Sequence, residues 1–203
     1  MVKRGVSLFW FGLILLLIVT VVSCGDSGHS NVTGPAPLSA NVSGTWVFSG
    51  SITSNNCGYL QGASGFTLGS MDTQTIRVTQ TGSNLSAVAT GGTLFSRNDT
   101  FSGSVNGSGV SLAESNPSVL NTGGCSSVLG GGMEIQRTTE TEGSGSVNFT
   151  TVQAGGNCAF LGALPCSVVW TGTWARTSAT KLEGPEPSRE TPMIEQLQQI
   201  LTR

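Results

Sequence analysis

The chain has 203 residues and a mass of 20.8 kDa; charged residues make up 10% of it and hydrophobic residues 37%. That length suits one domain with tails, and nine basic against eleven acidic side chains leave no basic face for phosphates, so no nucleic-acid partner is expected. With 29 glycines, 27 serines and 24 threonines, the polar surface has to be made of hydroxyls and backbone, a composition that suits many short β-strands and tight turns rather than a charge-rich disordered chain.

Residues 1–23 read as an export signal, with Lys3 and Arg4 ahead of an uncharged apolar run from Val6 to Val22. The alternative is an uncleaved anchor, since about 18 apolar residues can span a bilayer; either reading tethers the domain to a membrane. Val21-Val22-Ser23-Cys24 resembles the bacterial lipobox, which implies a lipoprotein with Cys24 acylated as the mature N-terminus. Stable anchoring then takes more than one fatty chain. Gly25, in place of an acidic residue, resembles the pattern that sends enterobacterial lipoproteins to the outer membrane, so the expected location is the cell envelope, lipid-anchored at the outer membrane. Residues 24–40, with Gly34-Pro35-Ala36-Pro37, read as a flexible linker.

Four cysteines remain beyond the signal, an even number in an exported domain, which points to two disulfides. The rival is zinc, but there is no C-x-x-C pair and the single histidine, His29, falls in the linker. No metal or other cofactor is expected.

From Asn41 onward eight runs alternate with period two: 42–53, 73–81, 84–90, 100–106, 109–113, 133–141, 144–153 and 167–176. The connections alternate in length. Thr81-Gly82-Ser83-Asn84, Asn106-Gly107-Ser108-Gly109 and Glu142-Gly143-Ser144 read as hairpin turns. The other four are long and carry all four cysteines together with Tyr59, Phe66, Leu94, Phe95, Phe160 and Leu161, which look exposed. Gly130-Gly131-Gly132 reads as flexible loop. The pattern predicts an all-β fold: an eight-stranded antiparallel up-and-down barrel over residues 41–178, with a tight-turn end and a long-loop end. If the first and last strands adjoin on closure, Cys57 pairs with Cys166 and Cys125 with Cys158. Residues 179–203 read as a linker and a short amphipathic C-terminal helix in which Met193, Ile194, Leu197, Ile200 and Leu201 share a face.

Gly44-Thr45-Trp46 opening the first strand, and Arg176 two residues after Trp174 in the last, resemble the calycin barrels, the lipocalins and avidins. The resemblance implies that Trp46, Trp174 and Arg176 plug the closed end. No set of biotin-contacting residues aligns, so biotin is not implied. Asn56-Cys57-Gly58-Tyr59-Leu60 and Asn157-Cys158-Ala159-Phe160-Leu161 form a faint repeat just past two strands.

Catalysis is not expected. Glu134, Glu140 and Glu142 cluster around Arg137, but Glu134 and Glu140 share a face opposite Met133 and Ile135 that reads as solvated, and the serines lack a base partner. The leading expectation is therefore a membrane-tethered protein that binds a small apolar or amphiphilic ligand. Its barrel interior would be lined by Phe48, Ile52, Phe101, Phe149 and Trp170, with Gly50, Gly103 and Gly172 leaving room. The alternative is a non-enzymatic envelope interaction protein, an inhibitor or assembly factor with a filled barrel, that meets a partner protein through Tyr59, Phe95 and Phe160 on its disulfide-braced loops.

Overall fold

The structure, a computed structural model, describes residues 41–63, 65–177, 191–193, 195, 196 and 199. The expected signal, the Cys24 anchor, the linker to Ala40 and the linker over residues 179–190 lie outside the described residues, as do Ile194, Leu197, Ile200 and Leu201.

Nine strands form one antiparallel sheet: β1 (Gly44–Asn55), β2 (Met71–Thr81), β3 (Asn84–Gly92), β4 (Thr100–Asn106), β5 (Gly109–Glu114), β6 (Ser118–Thr122), β7 (Cys125–Arg137), β8 (Glu142–Gly156) and β9 (Cys166–Thr177). β1 pairs with both β2 and β9, and β5 pairs with β7, so eight strands close into the expected antiparallel barrel. Closure leaves no edge along most of the sheet. The C-terminal helix is a minor addition: Met193, Glu195, Gln196 and Gln199 are helical.

The ninth strand corrects the expected long connection after residue 113. β5 and β6 both run antiparallel to β7, β5 along Gly132–Gln136 and β6 along Cys125–Leu129. They are one strand interrupted at Ser115-Asn116-Pro117, where proline removes a ladder donor. A two-residue turn, Gly123-Gly124, joins β6 to β7; both residues have positive φ, the geometry that matches strand twist in a hairpin. β7 therefore begins at Cys125, and Gly130-Gly131-Gly132 lies within it as strand rather than loop. The β7–β8 turn also moves: β7 ends at Arg137 and β8 begins at Glu142, so Thr138–Thr141 makes the turn and Gly143 and Ser144 are already paired.

The strands alternate as the sequence pattern requires. Trp46, Phe48 and Ile52 of β1 and Val168, Trp170 and Trp174 of β9 are buried, and their outward neighbours are mostly hydroxyl residues. Gly145, Gly172 and Gly50 form a row across β8, β9 and β1. A Cβ there would sit 1.9 Å from the Glu134 carbonyl oxygen, 2.2 Å from that of Ser49 and 2.4 Å from the Phe48 ring, respectively. At Gly103 it would sit 1.8 Å from the Ser111 carbonyl oxygen. These glycines are points of close strand approach, so they do not leave the ligand space that the sequence suggested.

Candidate functional site at the loop end of the barrel

The five interior candidates all face inward: Phe48, Ile52, Phe101, Phe149 and Trp170 are at most 2% exposed. What they meet is largely each other and a loop. Phe95, expected as an exposed loop contact, is instead 1% exposed, its ring 4.8 Å from that of Phe101 and 4.7 Å from that of Phe149, which is in turn 5.5 Å from Trp170. Gly131 makes room for it, because a Cβ there would lie 2.3 Å from the Phe95 ring.

Gln74, fully buried on β2, explains why the β3–β4 loop turns in. Its Nε2 donates to the Gly91 carbonyl (2.7 Å) and its Oε1 accepts the Phe95 N–H (2.9 Å), so the loop backbone is satisfied while its apolar side chains enter the core. Leu94, Phe66 and Leu161, also expected to be exposed, are buried as well.

At the other end, Trp46 and Trp174 are 1% exposed and Arg176 lies opposite Trp46 across the β1–β9 ladder. The Trp46 indole N–H donates to the Val42 carbonyl (2.9 Å), and Arg176 donates to the Ser43 carbonyl. A Cβ on Gly44 would stand 2.8 Å from Arg176 Nε, and Gly44 has φ of 135°, so the glycine of the Gly44-Thr45-Trp46 motif is what lets the guanidinium lie across this end. A second arginine that sequence reading did not single out joins this end: Arg137 is 3% exposed and donates to the Gly107 carbonyl (3.0 Å). It shares the inward period of Met133 and Ile135, and that parity was the available signal.

The loop end carries both disulfides. Cys57–Cys166 ties the chain beyond β1 to the first residue of β9, with Cα atoms 5.0 Å apart. Cys125–Cys158 ties β7 to the loop after β8, at 4.8 Å. They hold two short 3₁₀ turns, Gly58–Leu60 and Ala159–Leu161, which are the two copies of the faint repeat. The copies end differently. Tyr59 is half-buried and its hydroxyl is 2.6 Å from that of Thr151, burial pushing the phenol above its ordinary range, whereas Phe160 is 56% exposed.

Beside Phe160 lies a depression of about 400 Å³ lined by Asn121, Thr122, Gly123, Gly124, Ser126 and Gly156. Val119, Val128 and Val152 form a row on the outer face across β6, β7 and β8, with Val119 and Val152 exposed. β6 and the adjoining halves of β7 and β8 carry no charged side chain.

Acidic groups gather on the opposite side of the interrupted strand. Glu114 Oε2 accepts the Gly131 N–H (2.9 Å), and burial pushes its carboxyl up to about 7, the Gly131 bond opposing this and Asp99 adding to it. Its ionised form is thus disfavoured in the folded state. The stability linked to Glu114 is fully present below the ordinary carboxylate range and is lost as pH rises through about 7. Urea midpoints of the native protein should fall between pH 5 and 8, and Glu114→Gln should flatten that slope; an unchanged slope in the variant would assign it to other groups.

Among the described residues no group of three or more histidine, cysteine or acidic side chains is placed to hold a metal. No protein family, curated protein or solved structure matches the chain. The class is therefore set by geometry: a disulfide-braced, closed eight-stranded antiparallel barrel, consistent with a calycin-like fold and with a barrel binding protein.

Proposed function

We propose that this chain is an exported, membrane-tethered and non-enzymatic interaction protein of the bacterial envelope, anchored through Cys24, whose barrel is a filled scaffold presenting the loop end to a partner protein. One observation carries the reading. The interior positions expected to hold a ligand are taken up by Phe95, by their own aromatic neighbours and by close strand approach at Gly50, Gly103 and Gly172. Recognition then falls to the exposed surface, of which Phe160 and the valine row beside the Cys125–Cys158 bridge are one apolar part. An exposed aromatic on a covalently braced loop fits the pattern of a contact residue, because an ordered side chain loses little entropy on binding.

Organic extraction of the folded, disulfide-bonded protein followed by mass spectrometry should yield no stoichiometric lipid or small molecule. Phe160→Ser should abolish cross-linking to an envelope protein while moving the unfolding free energy by no more than about 0.5 kcal/mol, as for other surface changes. A stoichiometric apolar compound in the extract would instead support the ligand-binding barrel.

A further inference from the structure

Among the described residues, β6 is the one strand that pairs along one side only, with β7. The cause lies in the neighbouring loop. At the end of β5 the Ser115 N–H still reaches the Thr100 carbonyl (2.8 Å), but β4 begins at Thr100, and the residues before it carry Phe95 into the core instead of running on beside β6. The loop that fills the interior is thus what leaves the wall with an open edge.

The ladder fixes which groups lie on that edge. On β7 the Gly131 N–H donates to Glu114 and the Arg137 N–H to the Ser108 carbonyl, both at 2.9 Å, so every second residue counted from them, including Cys125, Ser127 and Leu129, turns its backbone bonds toward β5 and β6. Their partners Thr122, Leu120 and Ser118 take those bonds. Val119 and Asn121 therefore aim their N–H and C=O groups away from β7, and no described residue bonds to them there. Natural sheets usually blunt such an edge with charge, with proline in the strand or with a bulge. β6 has none of these; Pro117 lies just outside it, and the Val119 side chain is 60% exposed at the head of the outer valine row.

We infer that β6 is a self-association edge, along which a second copy of the chain adds its own β6 antiparallel, across a two-fold axis at Leu120. The edge matches its own image. A two-fold reverses the order of Val119 and Asn121, so each Val119 faces an Asn121 of the second copy, and their outward N–H and C=O groups bond in pairs. Leu120 then meets Leu120 of the second copy at the closely spaced position between those pairs. Charge favours an identical surface here: β6 and the adjoining halves of β7 and β8 carry no charged side chain, so two copies approach without like-charge repulsion. The contact is short, so the dimer is a weak one. It requires neither Phe160 nor an envelope partner, and so goes beyond the function proposed above.

Sedimentation equilibrium of the full-length chain in density-matched detergent, up to about 1 mM protein, should show a reversible monomer–dimer equilibrium. Val119→Pro removes an N–H on the open edge and no bond to β7, a change that edge strands accept. It should weaken the dimer about tenfold or more while the unfolding midpoint stays nearly unchanged. Val119→Lys keeps every backbone donor but sets like charges across the two-fold, and should weaken the dimer as well, which decides the matter if the proline variant folds poorly. Val119→Thr, which keeps both the N–H and the branched shape, should stay within about twofold of the wild type. A monomer at every concentration, or a dimer that Val119→Pro and Val119→Lys leave intact, overturns the inference; the first of these results would leave the edge to a strand of another protein.

Discussion

Replacing Cys57 and Cys166 together by serine should lower the unfolding free energy by about 4–5 kcal/mol, the loss expected when a covalent loop of this length is opened in the unfolded chain. The bond joins residues 109 positions apart and sits where β1 leaves the barrel and β9 enters it. Without it, the unfolded chain regains the freedom of that whole loop, and the β1–β9 seam keeps its ladder hydrogen bonds, side-chain bonds such as that between the Thr53 and Thr171 hydroxyls (2.9 Å), and the Phe48–Trp174 contact at 5.1 Å. Cys125–Cys158 spans 33 positions, and its removal should cost less, about 3–4 kcal/mol on the same scale. Urea unfolding of the two double variants, each with its other disulfide intact, tests the order. A loss below about 1 kcal/mol for Cys57–Cys166 would mean that the unfolded chain is already compact across the seam.

Trp170→Ala should cost about 3–5 kcal/mol, the range for deleting a large aromatic from a close-packed core. Trp170 is fully buried, stands edge-on to Phe149, and donates its indole N–H to Asp72 Oδ2 at 2.8 Å. Asp72 in turn accepts the Thr93 hydroxyl at 2.9 Å, so the tryptophan anchors the loop that carries Phe95 as well as filling space. Trp170→Phe keeps most of the apolar area and loses only the bond to the carboxylate, which should cost about 1.5–3 kcal/mol. Unfolding midpoints should therefore fall in the order wild type, Trp170→Phe, Trp170→Ala. Equal midpoints for the two variants would show that the Asp72 bond, and not packing, carries the effect.

The barrel was legible because period-two alternation and the Gly82 and Gly107 turns are local signals, and because three tight connections alternating with long ones constrain the topology. The pairing of β1 with β9 then followed from closure. β6 was not legible: Pro117 and the run Gly123-Gly124 break the alternation, and residues 114–132 read as loop although ladder bonds to β7 and β8 organise them. Phe95 went astray for a different physical reason. An aromatic in a loop faces inward only if the loop's backbone finds partners inside, and the partner, Gln74, lies on another strand with nothing nearby in sequence to mark it. The glycines were misjudged likewise, since an absent side chain reads as space until the neighbouring backbone is seen to occupy it.

The position of Cys57–Cys166 also decides how the protein answers a pulling force. Residues 41 and 177 both lie at the tight-turn end, and β1 and β9 run from there, side by side, to the covalent bond at the far end. Tension applied between those two points peels the pair apart one ladder bond at a time. Once it reaches the sulfurs, it passes directly from Cys57 to Cys166. Residues 58–165 are shielded from the load, and the extension is capped by the roughly 27 residue-to-residue steps in the force path, about 95 Å at full stretch.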